Sequence, residues 1–459
     1  MNVESSAPRT MQPSRPLANL MRLAGIDFHI LQTLLQRSWA ILAGGMTALL
    51  IPSFLSPLQQ GYYFTFSAVL AAQIFFELGL NHVLVQLTSH AAAHLQRISK
   101  TDFDGDFRWR NAIISLLALS SKWNSLMASL FFTTMLLGGS WFFIETGTLP
   151  MSQWLTVWVL LVFAFAINLA LSSRLAICEG LGEVGQVAQL RLGQSIIGYS
   201  ILWLLLVYGA GLWAIVAVPL TNAVGTLWWL SQRRLSKSFG MRPANSTVDS
   251  SYSYVRDVFP LQWRIAISWV SGFFIFSFLT PVVFAKLGEI EAGKFGLGMT
   301  IFTAISTVGM SWISAKIPVF SGHIARQERS QLNSLFYIQA TRAVGVTSLC
   351  SAIFLVVVQL GGHFAPMFLD RLPSMSSLFL LAMAAIGNCA IFALAAYMRA
   401  HQEEPMVLVS ITSALLISSS VFLTAPVGMT AILAAYSGII LFVVLPWTLL
   451  LFLRYWRQD

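Results

Sequence analysis

Residues 152–174 read SQWLTVWVLLVFAFAINLALSSR, and no charged side chain occurs in this stretch before Arg174. An α-helix needs about 20 mainly apolar residues to cross the hydrocarbon core of a bilayer. The stretch therefore predicts one membrane-spanning helix.

The rest of the chain has the same character. Of its 459 residues, 56% are hydrophobic and only 10% are charged, whereas a soluble domain carries about a quarter charged residues. This composition supplies apolar residues for about a dozen spans and excludes a large soluble catalytic domain. We therefore expect a membrane protein that is not an enzyme.

Apolar runs broken by charged, glycine or proline segments predict twelve helices in all. The first six are expected at about 38–56, 62–86, 120–143, 152–174, 188–208 and 211–231. The second six are expected at about 261–284, 295–318, 337–359, 376–398, 404–424 and 428–451.

Positive charges indicate how these helices are oriented, because loops rich in Lys and Arg remain in the cytoplasm. With the N-terminus inside, 24 of the 27 Lys and Arg residues fall on the cytoplasmic side. The exceptions are Lys286, Lys294 and Arg371. The sequence thus predicts a multi-pass protein with both termini in the cytoplasm. We attribute the net charge of +9 to this orientation and to anionic membrane lipids, not to nucleic acid.

The two sets of six helices resemble one unit used twice. Arg37 precedes Gly45 by eight residues, and Arg264 precedes Gly272 by the same spacing. Six helices per half make the repeats parallel, and such halves enclose a central cavity. We divide the chain into a disordered basic tail, a first half, a cytoplasmic linker and a second half, at 1–28, 29–235, 236–257 and 258–459.

One carboxylate, Glu77, lies inside a predicted span. An ionisable group at that depth is costly and either pairs with another group or serves transport. Arg37 is predicted at a similar depth, so Glu77 is interpreted either as half of a structural ion pair or as a proton-coupling group.

Basic residues at the inner helix ends suggest a cationic vestibule. Guanidinium groups offer several fixed donors that suit phosphate oxygens, so we expect such a vestibule to bind an anionic headgroup. The residues proposed for it are Arg37, Arg264, Lys122, Arg174, Arg191 and Arg342.

Neutral polar and aromatic residues in the spans are candidates for a sugar path. Amides can bind sugar hydroxyls, although amides in membranes also hydrogen-bond between helices, and indole rings can stack on sugar rings. The candidates are Asn168, Gln194, Asn222, Asn388, Trp39 and Trp263.

No metal site or cofactor is predicted. Cys178, Cys350 and Cys389 are widely spaced in apolar sequence, where a thiol behaves as a small hydrophobic group. His90 and His94 share a helix face but lack an evident third ligand.

Several local motifs resemble a known family. Three motifs within the two six-helix halves are similar to those of bacterial O-antigen flippases. They are Gly61-Tyr62-Tyr63-Phe64, Phe75-Phe76-Glu77-Leu78-Gly79 and Pro260-Leu261-Gln262-Trp263-Arg264. The flippases belong to the multidrug/oligosaccharidyl-lipid/polysaccharide exporter superfamily, whose fold is MATE-like.

The resemblance implies an alternating-access flippase for undecaprenyl-pyrophosphate-linked sugars in the bacterial inner membrane. Its expected partners are the lipid-linked glycan, membrane lipids, and a polysaccharide polymerase or glycosyltransferases. The family's cation-coupled drug exporters often carry an acid in the first helix, and this sequence has none there. Drug export remains an alternative, and a membrane-embedded polysaccharide polymerase or ligase is a more distant one.

Overall fold

In the computed structural model, residues 28–97, 103–233, 254–361, 366–401 and 405–458 are described. Nearly all of them are helical. The first half consists of α1 (Phe28–Phe54), α2a (Pro57–Glu77), α2b (Leu80–Ala92), α3 (Phe107–Thr146), α4 (Met151–Cys178), α5 (Val184–Val207) and α6 (Gly211–Val216 continued by Ala217–Arg233).

The second half has the same number of spans. They are α7 (Phe259–Phe276 and Leu279–Leu287), α8 (Glu289–Ser314, followed by Ile317–Ala325), α9 (Arg329–Gly361), α10 (Met375–Ala400), α11 (Val407–Thr424) and α12 (Met429–Ile439, Ile440–Val444 and Leu445–Gln458).

Nine continuous helices in the described residues are long and apolar enough to span a membrane. One of them, Met151–Val207, has 57 residues, about 85 Å of helix, and bends at Gly182 with φ of 86°. It therefore forms two spans, α4 and α5. The pair α2a and α2b, bent by 44°, and the shorter apolar segment Ser38–Phe54 account for the remaining two of twelve.

Three helices begin eight or more residues earlier than predicted. α1 begins at Phe28 instead of about 38, α3 at Phe107 instead of about 120, and α9 at Arg329 instead of about 337. The 40 residues of α3 extend over about 60 Å, twice the hydrocarbon thickness. Hydropathy identifies only the embedded part, so it misses the projecting turns. The projecting turns of α3 are held by a small apolar cluster that includes Ile113, Leu117 and Ile177.

A two-stranded antiparallel hairpin, β1 (Leu95–Arg97) and β2 (Phe103–Gly105), joins α2b to α3. It was not predicted. Next to it, the Asp106 carboxylate accepts a hydrogen bond from the backbone N–H of Arg108 at 2.9 Å and caps the start of α3.

The two halves share one packing pattern. In the first half, α1 packs on α5, α3 on α4, α4 on α6, and α5 on α6; in the second half, α7 packs on α11, α9 on α10, α10 on α12, and α11 on α12. α2 contacts α3 and α4 as α8 contacts α9 and α10. The predicted all-α fold class is confirmed, and the shared contacts support two repeats of six helices.

Different turns connect the helices at the two ends of the bundle. The turns after α1, α3, α7 and α9 meet at one end, where Gln60, Thr148, Glu289 and Arg371 are in contact. We call this the closed end, and the other the terminal end. Most of the predicted tail and linker (residues 1–27 and 234–253) lies outside the described residues, and the division into domains stays a prediction.

Topology can be measured directly. In a variant without its native cysteines, we expect a thiol introduced by Ser246→Cys to react with a membrane-impermeant maleimide only after the cells are opened. Ser374→Cys, at the closed end, should react in intact cells once the outer membrane is permeabilised. Labelling of the two thiols with the opposite sidedness would contradict the charge-based orientation.

Candidate functional site

The two halves touch at the closed end through glycines of α2a and α8. A Cβ added to Gly61 would lie 2.1 Å from the backbone oxygen of Glu289. A Cβ on Gly296 would lie 2.4 Å from the Cβ of Phe64. Real side chains do not approach so closely, so the helix backbones meet here because both positions lack a side chain.

Hydrogen bonds across the halves reinforce this contact. Gln60 Nε2 donates to the backbone oxygen of Gly293 at 3.0 Å and to that of Arg371 at 3.2 Å. The backbone N–H of Thr148, in the α3–α4 turn, donates to the carboxylate of Glu289. Glu289 is 6% exposed. Each bond joins the first half to the second, and we call this set the latch.

An aromatic cluster lies beneath the latch. The Tyr62 ring lies 5.7 Å from that of Phe143 and 5.2 Å from that of Phe284, measured between ring centroids. Phe284 belongs to α7 in the second half, and Tyr62 to α2a in the first. The closed end is therefore sealed by buried apolar surface as well as by hydrogen bonds.

Away from the latch, α2a and α8 separate. Thr303 and Thr307 lie 7 and 11 residues beyond Gly296, on the same face of α8 at 100° per residue. Both are exposed, whereas Gly296 is buried. The face of α8 that contacts α2a at the closed end thus lines a cleft nearer the terminal end.

α2 contacts α7 below the cleft. The Phe75 and Phe273 ring centroids are 4.9 Å apart. Gly79 packs against Ile265, where an added Cβ would lie 2.5 Å from Ile265 Cγ2. α2a therefore contacts the second half near both of its ends, through α8 at one and α7 at the other.

Glu77 lies at the break between α2a and α2b. Leu78 and Gly79 have φ of 49° and 71°, and such left-handed backbone is unusual for leucine. Across the break, Asn81 Nδ2 donates to Glu77 Oε1 at 2.7 Å. Ser172 Oγ of α4 lies 3.4 Å from Asn81 Oδ1 and accepts a hydrogen bond from Asn124 Nδ2 at 3.1 Å. We call the Glu77–Asn81 bond the clasp.

Two adjoining cavities of about 190 and 220 Å³ lie inside the second half. Both are lined by Phe276, Met310 and Asn388. The first reaches Thr303 and Thr307, and so connects with the cleft. The second reaches Arg399 near the terminal end of α10.

Most residues of the cavity walls are apolar, and several of the polar groups among them are hydrogen-bonded to other protein groups. Ser306 Oγ donates to the Ala385 backbone oxygen at 3.3 Å, and Thr307 Oγ1 donates to that of Thr303 at 2.8 Å. Asn388 Nδ2 donates to Tyr436 Oη at 3.2 Å. These hydrogen bonds leave mainly hydrocarbon facing the cavities.

The predicted basic residues occupy different settings. Arg191 Nη2 forms an ion pair with Glu179 Oε1 at 2.9 Å, and Arg191 also interacts electrostatically with Glu77. Arg174 is half-buried, and Lys122 and Arg342 are exposed on α3 and α9. The side chains of Arg37 and Arg264 lie outside the described residues, so the vestibule and the Arg37–Glu77 pair stay predictions.

The predicted amides are engaged in contacts between helices. Asn168 Nδ2 donates to the Pro219 backbone oxygen at 2.9 Å, and Gln194 Nε2 donates to that of Asn222 at 3.0 Å. Asn388 alone of the four lines the cavities in the second half. Trp39 lies 6.1 Å from Trp203 between ring centroids. Trp263 lines a separate groove of about 500 Å³ between α7 and α11.

Sequence reasoning missed the latch and the cavity contacts. Gly61 stood out only as part of a family motif, and its direct contact with Gly293 gives no periodic signal. Gln60, Glu289 and Tyr436 were not singled out, because each is an ordinary polar residue until the fold brings its partner close. Arg399 was counted as a topogenic charge and not as a cavity residue.

Comparison with family models finds no match, and no curated protein matches. Solved structures do match. One titled as the inward-facing conformation of a multidrug resistance MATE family transporter of the MOP superfamily has a TM-score of 0.65 and 14% identity, covering 92% of this chain and 96% of that one.

Two further matches are weaker. An outward-facing structure with the same family title has a TM-score of 0.52 and 12% identity, covering 93% of each chain. A mutant of the Vibrio cholerae MATE transporter VcmN has a TM-score of 0.59 and 11% identity, covering 97% of this chain and 98% of that one. The chain therefore has the MATE fold.

The clasp makes a testable contribution to stability. Glu77→Leu removes the acceptor for Asn81 Nδ2 at a part-buried site, and we expect the loss to cost about 1–3 kcal/mol. Glu77→Gln keeps an acceptor oxygen and should cost less. Thermal unfolding of the purified variants in detergent measures both, with Asn81→Leu as the matched partner variant. Equal melting temperatures for the wild type, Glu77→Leu and Asn81→Leu would show that the clasp contributes nothing.

Proposed function

We propose that this protein is a membrane exporter that works by alternating access and flips a lipid-linked oligosaccharide, of the undecaprenyl-pyrophosphate type, across the bacterial inner membrane. The two parts of the proposal, transport and cargo, rest on different observations.

The latch supports the transport mechanism. Two six-helix halves meet at the closed end through glycine contacts and hydrogen bonds, while α2a and α8 diverge into a cleft nearer the terminal end. Rigid halves joined this way can rock, so that the latch opens and the cleft closes. The likeness to transporter folds supports the same interpretation.

The charge of the lining supports the cargo. Among the described residues, no Asp or Glu lines the two cavities of the second half, and Arg399 is the one Lys or Arg that does. A carboxylate would be the natural partner of a cationic drug, whereas guanidinium suits a phosphate. An amphipathic anion fits this lining better than an organic cation.

Drug export is the second candidate. It is favoured by the multidrug resistance title of the structural neighbours and by the mainly apolar cavity walls, which would also accept an aromatic drug. The two candidates differ in the charge of the cargo.

Transport by the reconstituted full-length protein distinguishes them. In proteoliposomes, we expect movement of a fluorescent undecaprenyl-pyrophosphate-linked oligosaccharide between leaflets, at a rate well above that of protein-free vesicles. We expect no accumulation of a cationic dye such as ethidium under a proton or sodium gradient. Dye transport without movement of the lipid-linked sugar would establish drug export instead.

The arginine predictions can be tested in the same assay. Arg264→Ala should slow the flipping of the pyrophosphate-linked cargo, and Arg264→Lys should restore it only partly because the fork geometry is lost. Arg342→Ala serves as a comparison of an exposed member of the predicted set. Undiminished flipping by Arg264→Ala at equal protein content would remove Arg264 from headgroup binding.

A further inference from the structure

The first of the two cavities in the second half has room for one six-membered ring. Its volume is about 190 Å³, and an engineered apolar cavity of about 150 Å³ binds benzene. Phe276, Thr303 and Thr307 line the cavity, and all three are exposed. A ring can therefore enter from the cleft. We call this space, which Asn388 and Tyr436 also line, the ring cavity.

Two neighbouring side chains of the ring cavity keep hydrogen-bonding capacity for a ligand. Asn388 Nδ2 donates to Tyr436 Oη at 3.2 Å. Within the described residues, none donates to Asn388 Oδ1 and none accepts the hydroxyl proton of Tyr436. With the amide turned round, the tyrosine donates to Oδ1 and the amide nitrogen is left for the ligand. In either orientation the pair offers a donor and an acceptor. Tyr436 is 2% exposed, so its hydroxyl faces the protein interior and not bulk solvent.

The side of the ring cavity formed by α8 adds three hydroxyl groups. The Thr303 hydroxyl forms no hydrogen bond with any residue that the structure describes. Ser306 Oγ and Thr307 Oγ1 donate their protons to backbone oxygens, so toward a ligand they can only accept. A molecule in the ring cavity therefore meets several hydrogen-bonding groups, and all of them are uncharged.

Most of the remaining wall is hydrocarbon. It is contributed by the apolar residues Met299, Phe302, Met310, Leu381 and Ala384. The face of an aromatic ring such as that of Phe302 carries partial negative charge and so attracts the polarised C–H groups of a sugar ring. A hydroxyl turned toward this wall loses its hydrogen bonds to water without replacement, at a cost in free energy. The lining therefore favours a sugar ring in which a methyl group replaces a group that carries a hydroxyl.

We propose that the ring cavity binds one neutral 6-deoxyhexose unit of the cargo. The proposal rests on the proposed function, because it assigns a place to one sugar of the lipid-linked oligosaccharide. The neighbouring sugars lie in the cleft, beside Thr303 and Thr307. A neutral ring is preferred to an organic cation because no Asp or Glu of the described chain lines the ring cavity. A sugar is preferred to a purely apolar ring because an apolar ring leaves the hydrogen-bonding capacity of Asn388 and Tyr436 unused.

Glycosides that differ in one hydroxyl test the class of sugar. Methyl 6-deoxy-α-D-mannoside and methyl α-D-mannoside differ only at C6, as do the corresponding galactosides. Saturation-transfer difference NMR on the full-length protein in detergent should show that one 6-deoxy glycoside binds about tenfold more tightly than its parent hexoside. Binding of the parent that is equal or tighter in both pairs, or no binding of any of the four glycosides, would overturn the proposal.

Two conservative variants locate the bound sugar. Tyr436→Phe keeps the aromatic ring and removes the hydroxyl, and Thr303→Val does the same for the hydroxyl of an exposed side chain. Each should weaken the binding of the 6-deoxy glycoside about fivefold. Thr300→Val is the matched control, because Thr300 is also exposed on α8 and lines neither cavity, and it should bind like the wild type. Unchanged binding in Thr303→Val or in Tyr436→Phe would contradict this placement.

Failure of this site and failure of the proposed function give different results. If the 6-deoxy glycoside binds in the ring cavity but no oligosaccharide that contains a 6-deoxyhexose is flipped, the proposed function fails and the site stands. If the oligosaccharide is flipped and neither variant changes the binding of the glycoside, the site fails and the function stands. Binding of a neutral aromatic probe such as 2-naphthol, without binding of any glycoside, would assign the ring cavity to an aromatic drug and overturn the proposal.

Discussion

The close approach of two helix backbones at Gly61 and Gly293 is the constraint on which the relation of the two halves depends. An added Cβ at Gly293 would lie 2.9 Å from the backbone nitrogen of Gly61. With side chains at these positions, α2a and α8 would be held apart, and the hydrogen bonds of Gln60 and Glu289 could not reach across. Separating the halves here would also part Tyr62 from Phe284, so opening must break a buried aromatic contact as well as the hydrogen bonds.

The two halves share a fold but not a chemistry. Gly61 and Gly293 are 232 residues apart, and the same offset places Glu77 opposite Gly309. Glu77 belongs to a polar chain that runs through Asn81 and Ser172. Gly309 instead packs closely against Thr347. The first half therefore carries a carboxylate at a strained helix break, and the second half carries two largely apolar cavities.

Sequence alone predicted the class of fold, because apolar length and the distribution of basic residues are direct consequences of crossing a membrane. It placed α4 and α10 nearly at their observed bounds, since each is bounded by polar or proline residues. It misplaced the starts of α3 and α9, whose projecting turns are held by packing and not by the bilayer.

The site was harder to predict. Asn168 and Gln194 are polar residues in spans, as a sugar path requires, yet their partners are backbone oxygens of α6. Only the packing of the helices could show this.

Cross-linking the latch tests the central claim most directly. In a cysteine-free protein, Gln60→Cys and Arg371→Cys place two thiols where Gln60 Nε2 reaches the Arg371 backbone oxygen at 3.2 Å. A short cross-linker with a cleavable disulfide should join the halves there and stop the flipping of lipid-linked oligosaccharide, and reduction should restore it. A cross-link between positions 168 and 219, both in the first half, should leave flipping intact. Full transport by protein that is cross-linked at 60 and 371 would contradict alternating access through this latch.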